Sequence, residues 1–417
     1  MKVLIRQAKV FSSKSPFHLQ TADILIHDGR IQQIAPHLEA VADFTEISKE
    51  GLCVSAGWMD VFADFADPGF EFRETIETGS GAAASGGFTA VMLLTSSSTG
   101  SPARSAVEYL INKEAPVAIY PIGSITVKNE GSQLAEMYDM HAAGAIAFSD
   151  GPIGLQHPGV MVKALQYVLP LNSSIIQVPG NRQISPNGLV NEGVQGTKLG
   201  LPGLPALAEE IMISRDIELL RYTGSRLHLT GISTKKGIAL VRKAKEEGLN
   251  ITCSVTPYHL NYTDADLFSY DTNLKVYPPL RTEEDLAELN DAVDEGLIDC
   301  LASHHFPWHR DEKDCEFEYS RFGMAGIQSV FGAAGKRILN TEKLIHLLTN
   351  GRNVFGLPVP EILEGEIADL TLFNPGETYT FAPGQNRSRS ANNVFINSEL
   401  RGRVYGTIHH NKIHLNK

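Results

Sequence analysis

From about residue 55 to residue 355 the chain repeats one rhythm. A short apolar run ends in Gly, Ser, Asp or His, and an amphipathic helical stretch follows it. Phe88–Leu94, Ala115–Tyr120, Ala145–Phe148, Ser174–Val178, Arg226–Thr230, Ile251–Val255 and Ile298–Ala302 are such runs, with Glu209–Leu220 and Lys235–Lys245 among the helical stretches between them. Unbroken apolar runs suit strands buried on both faces. Parallel strands need helical crossovers to join them. About eight such units over roughly 300 residues match a (β/α)8 barrel. In that architecture chemistry sits at the C-terminal ends of the strands, so the residues ending each run are the ones to inspect.

The two ends of the chain read differently. Val3–Phe11, Asp23–Ile26, Asp369–Phe373, Asn393–Ile396 and Gly402–Ile408 have a β texture, and Asp28-Gly29 supplies a hairpin turn. The expected organisation is one β-sandwich domain assembled from residues 1–54 and 356–417 around a barrel of residues 55–355. A chain of 417 residues is long enough for both.

Composition narrows the partners. Lys plus Arg is 36 and Asp plus Glu is 48, giving a net charge of −12 that disfavours nucleic acid. Cys53, Cys253, Cys300 and Cys315 form no CxxC pair, and the first three lie among apolar residues as core fillers. The N-terminal ten residues break their apolar run with charges, unlike a signal peptide. No run approaches the roughly 18 apolar residues of a membrane span. The expected setting is cytoplasmic, away from membranes.

Several motifs then carry a specific likeness. Ser55–Asp60, Asp67–Gly79 and Ala82–Ala90 closely resemble dihydroorotases of the amidohydrolase superfamily. The resemblance continues through Asn191-Glu-Gly, Leu199–Pro205, Val255–Leu260, Pro278–Asp285, Phe322–Gly326 and Gly365–Phe373, nearly the whole chain in order. It implies a barrel with a β-sandwich built from both termini. It also implies zinc, which in active relatives is held by imidazoles and carboxylates and activates a water against the cyclic amide of dihydroorotate.

At the positions where that resemblance puts ligands, this chain departs from it. The first barrel strand of active members ends in Asp-x-His-x-His; here it is Asp60-Val-Phe-Ala-Asp64, so Phe62 and Asp64 replace two imidazoles. A phenyl ring cannot ligate a metal. The bridging Asp falls on Gly151, or on Asp150 if the loop is displaced. Val178 and Gly231 stand where two further histidines belong, and His304 replaces the Asp that shuttles the proton. The substrate pocket differs as well: Ala66 stands at the carboxylate-clamping Arg, Ser96 in the Pro-Asn-Thr turn, Tyr277 at an Asn, and Trp308 at a His.

These changes predict an emptied mouth in which Phe62, Val178, Phe306 and Trp308 pack together, each Å² of apolar surface buried contributing roughly 25 cal/mol. His304 and His305 would be polar filling, His228 and His259 satisfied core histidines, and His409, His410 and His414 surface groups. A rebuilt site drawing on Asp64, Asp150 and His304, with His259 and His305 nearby, is the competing expectation. No cofactor is expected. The resemblance implies a catalytically inactive, dihydroorotase-like protein of pyrimidine biosynthesis, because some bacteria use such a chain as a scaffold for aspartate carbamoyltransferase. Self-association into a homo-oligomer is expected too. The alternatives are an active dihydroorotase or other cyclic-amide hydrolase, and a small-molecule binding protein with an altered pocket.

Overall fold

The computed structural model describes residues 1–39, 43–95 and 104–416. The N-terminal segment supplies β1 (Lys2–Phe11), β2 (Thr21–His27), β3 (Arg30–Ala35), β4 (Thr45–Ile47) and β5 (Cys53–Ala56). Asp28 and Gly29 both take positive φ, 47° and 72°, forming the two-residue turn that pairs His27 with Arg30.

The barrel strands follow: β6 (Trp58–Ala63), β7 (Phe88–Leu94), β8 (Ala118–Gly123), β9 (Ala147–Phe148) and β10 (Ser174–Gln177). A small parallel pair, β11 (Val190–Asn191) and β12 (Gly203–Leu204), lies outside the barrel. The barrel resumes with β13 (Leu227–Thr230), β14 (Ile251–Val255) and β15 (Cys300–Leu301). The eight barrel strands run parallel in chain order from β6 to β15. Closure comes at Ala63 and His305, which form a parallel bridge, with the Asp64 amide donating to the His305 carbonyl at 2.9 Å. Every residue of β6 is buried, as a strand covered on both faces requires.

Three of the connecting helices begin where the chain places threonine. Thr75, Thr234 and Thr282 each accept a hydrogen bond from a backbone amide of the first turn of Ile76–Ser85, Lys235–Glu246 and Glu283–Asp294. None of the helices among the described residues is long and apolar enough to cross a membrane.

The C-terminal strands β16 (Asp369–Thr380), β17 (Glu399–His409) and β18 (Lys412–Leu415) return to the first sheet. β5 joins the two ends of the chain, pairing β1 on one side and β16 on the other. Two sequence expectations are corrected here. Asn393–Ile396 forms turns rather than a strand, because the Asn393 side chain is committed to Ala325 O and Ser329 Oγ, both at 3.1 Å. His409 and His414 are not surface groups: His409 faces Asp369 at 3.5 Å and His414 bonds Ser85 Oγ at 2.8 Å, while His410 is exposed.

The seam between sheet and barrel is tight. Arg352 donates to Thr89 Oγ1 at 3.2 Å and to Asp369 at 3.1 Å, all three being buried. Gly57 links β5 to β6 beside them, and a Cβ there would stand 2.0 Å from both Asp369 Oδ1 and Thr89 Oγ1. Gly57→Ala should therefore destabilise the fold by roughly 1–3 kcal/mol through overpacking. Urea denaturation of the variant beside the parent chain measures this, and an unchanged midpoint would contradict it.

Candidate functional site

The C-terminal ends of the barrel strands converge on a packed interior. Phe62 at the end of β6 is fully buried, its ring 4.9 Å from that of His304 and 6.0 Å from that of Phe306. Val178, Tyr277 and Phe306 belong to the same apolar cluster. Trp308 does not join them, contrary to the packing expected from sequence. Its indole N–H donates to Phe322 O at 2.7 Å, and its ring lies under the Arg73 guanidinium at 4.2 Å. The indole has a donor to satisfy, and the rim offers it a carbonyl and a cation.

His304 has the most constrained position. It adopts a left-handed φ of 44°, which aims its ring into the barrel, and its Nε2 pairs with Thr230 Oγ1 at 2.8 Å. From Thr230 a line of side chains runs down the barrel. Ser254 Oγ donates to Thr230 at 2.8 Å, His228 Nε2 pairs with Ser254 at 3.0 Å, and His228 Nδ1 pairs with Thr252 at 2.9 Å. His259 is likewise satisfied, by Thr256 Oγ1 at 2.9 Å and Pro278 O at 3.0 Å. Burial lowers the pKa of all three histidines, to about 3 for His228 and His304 and about 4 for His259. They are neutral hydrogen-bonding groups at pH 7.

Gly231 explains why His304 fits. It has φ +73°, and a Cβ built there would lie 2.6 Å from His304 Cε1. The ring of His304 thus occupies the volume that a side chain at 231 would need. Gly180 and Tyr277 repeat the arrangement, since a Cβ on Gly180 would fall 1.8 Å from the tyrosine hydroxyl. Sequence reading missed this second pair, and the only available signal was the bulk of Tyr277 in a Pro-Pro stretch.

The carboxylates point elsewhere. Asp60 accepts from Ser303 N at 2.7 Å and Ser303 Oγ at 2.6 Å, and burial raises its pKa to about 7 against those donors. Asp64, raised by burial, accepts the Ala66 amide at 2.7 Å, and Ala66 holds a left-handed φ of 55°. Asp150 is spent on the loop that follows β8: Ile125 N at 3.0 Å, Thr126 N at 2.8 Å and Thr126 Oγ1 at 2.6 Å. Gly151 follows it with φ +78°. His305 Nε2 faces Glu74 at 3.4 Å, both side chains being fully buried. Burial opposes ionisation of Glu74, yet donors from His305, Ser388 and Thr78 hold its pKa below the ordinary glutamate range. Ser96 lies outside the described residues.

The residues present do not fit a zinc ion of the kind the resemblance implies. Phenyl, isopropyl and hydrogen side chains stand at Phe62, Val178 and Gly231, and His304 fills the remaining space. The rebuilt site considered from sequence is not assembled either, because Asp150 is tied to Ile125 and Thr126 after β8 and His304 bonds Thr230. Among the described residues no three His, Cys, Asp or Glu side chains are placed to hold a metal ion.

Comparison with known proteins adds the following. The family described as "Dihydro-orotase-like" matches residues 52–237. The chain is 35% identical over 416 residues to a dihydroorotase from Pelotomaculum thermopropionicum, covering 98% of this chain and 97% of the relative. It is 32% identical over 417 residues to one from Syntrophus aciditrophicus, covering 98% of each. Among solved structures, an L-hydantoinase (dihydropyrimidinase) from Arthrobacter aurescens superposes with a TM-score of 0.85 at 22% identity, covering 100% of this chain and 96% of that one. A dihydropyrimidinase from Brevibacillus agri gives 0.82 at 19%, covering 100% and 95%. At those identities the structural likeness speaks for the fold.

Two measurements probe the filled interior. Gly231→Ala should cost roughly 1–3 kcal/mol through the clash with His304. Combined with His304→Ala it should cost clearly less than the sum of the two single changes. Additive costs in that cycle would mean the two positions do not share a space. The second concerns pH. His304 is depressed in the folded state, so its stabilising contribution is complete above its unfolded value near 6.5 and lost as pH falls toward about 3. Asp60, raised in the folded state, acts in the opposite sense between its ordinary value and about 7. The stability advantage of the parent chain over His304→Asn should therefore shrink from pH 7 to pH 4.5, with Asp60 common to both. Denaturation curves across that range test it; a constant difference would contradict it.

Proposed function

The chain belongs to the dihydroorotase family, and from that membership we propose that it is a non-catalytic member serving pyrimidine biosynthesis as a structural partner of aspartate carbamoyltransferase. The observation that carries this reading is the His304 imidazole standing in the volume of a side chain at 231, with Phe62 packed against it. Opening a cyclic amide needs an activated water and a group that moves its proton, which together supply on the order of 8 kcal/mol or more. Here His304 Nε2 is committed to Thr230, and the Asp60 carboxyl is committed to Ser303. Both side chains are buried, and Phe62 and Phe306 pack around the His304 ring. A barrel that keeps its frame without this chemistry is useful through its surface. The net charge of −12 favours a protein partner with complementary basic patches. Self-association of the barrel belongs to the same proposal.

The purified chain should retain well under one equivalent of zinc through dialysis and show no dihydroorotate hydrolysis above background. Phe62→His with Asp64→His should not restore activity, since Val178, Gly231 and Ala66 remain. One or two tightly held zinc ions, or a turnover abolished by His304→Ala, would sink the non-catalytic reading.

Mixed with aspartate carbamoyltransferase from the same organism, the chain should form a stoichiometric complex by light scattering. Independent elution across a range of salt and concentration would remove the scaffold role.

A further inference from the structure

On the rim outside the packed mouth lies an open cavity of about 620 Å³, lined by Phe72, Arg73, Trp308, Arg310, Lys313 and Arg389 among others. Four cations against the carboxylate of Asp314 in the same lining, in a chain carrying −12, is a local reversal of sign. Two of the four are already compensated. Arg73 makes a two-pronged pair with Glu312 at 2.8 and 3.0 Å, and Arg310 pairs with Asp314 at 3.1 Å. The other two form no ion pair among the described residues. Arg389 is exposed, and of its guanidinium nitrogens Nη1 donates to Glu71 O at 2.9 Å. Lys313 is 6% exposed, and its ammonium donates only to the carbonyls of Arg321 at 2.8 Å and Gly323 at 3.2 Å.

Lys313 is not alone. Lys275, 2% exposed, donates to the carbonyls of Phe317 at 2.7 Å and Glu318 at 3.0 Å, again without a carboxylate partner. Burial, with Lys275 adding its repulsion, lowers the Lys313 pKa to about 7. A buried ammonium without a countercharge is costly, and an anion in the cavity would supply what the protein leaves out.

We infer that this cavity binds the phosphoryl group of a small phosphate monoester, held between Arg389 and Lys313. Arg389 carries one unpaired charge, and Lys313 gains a second when an anion beside it favours the protonated amine, which matches a dianion rather than a single carboxylate. Arginine and lysine donors together suit an oxygen-rich tetrahedral group. The cavity exceeds what a bare phosphate fills and falls within the range of small-ligand sites, leaving room for an organic body beside the half-exposed ring of Phe72. The inference does not depend on whether the chain hydrolyses any cyclic amide.

Isothermal titration calorimetry on the full chain tests it, with inorganic phosphate, ribose 5-phosphate and malonate as probes. The expected result is one-to-one binding of the phosphate compounds, weakened about tenfold or more by Arg389→Gln. Arg389 is exposed, so that variant keeps the fold, and an unchanged melting temperature without ligand checks this. Lys313→Met should weaken binding likewise where it folds. Three results would overturn the inference: no heat at millimolar phosphate or ribose 5-phosphate, binding of malonate as tight as that of the phosphates, or affinity unchanged by Arg389→Gln.

Discussion

The ring of His304 and the missing side chain of Gly231 are one arrangement. With a Cβ at 231 only 2.6 Å from His304 Cε1, a side chain at one position excludes the imidazole at the other. Once the imidazole is inside the barrel, its Nε2 needs a partner there. Thr230, Ser254, His228 and Thr252 carry that requirement down through two neighbouring strands. The apolar remainder of the mouth follows from the same choice, since a neutral buried ring packs well against Phe62 and Phe306.

The loop that delivers His304 is held from outside by the C-terminal arm. Asn392 donates to Phe306 O at 3.1 Å and to Gly323 O at 3.2 Å, and the Trp308 amide reaches Ser390 Oγ at 2.9 Å. Glu74 accepts from the Arg389 amide at 3.0 Å and from the Ser388 hydroxyl, tying the first barrel loop to the same arm. Residues near both ends of the barrel sequence and a segment beyond it therefore fix one strand end together. This lacing also sets the rim cavity, whose cations come from those three segments. The filled mouth and the basic rim are two sides of one scaffold.

Such a division fits the general separation of fold from chemistry. The barrel frame depends on buried apolar strands and capped helices, which tolerate changes at the strand ends. The strand ends are free to lose ligands provided that the space is filled. Here pairs fill it, Gly231 with His304 and Gly180 with Tyr277.

Reading the residues alone was enough for the frame. Apolar runs of strand length alternating with amphipathic stretches report burial along each element, which is a local property. Asp28-Gly29 specifies its hairpin through its own backbone preferences, and the likeness of Ser55–Asp60 and the later motifs identifies where Phe62, Val178, Gly231 and His304 fall. What that pattern could not contain is which side chain fills whose space. Trp308 faces outward because a carbonyl and Arg73 wait there. Asn393–Ile396 is a turn because Asn393 bonds residues more than sixty positions away, and His414 is drawn to Ser85 across 329. Burial periodicity is written residue by residue along the chain. Steric exclusion and hydrogen-bond pairing between distant segments exist only once the barrel has closed and brought them into contact.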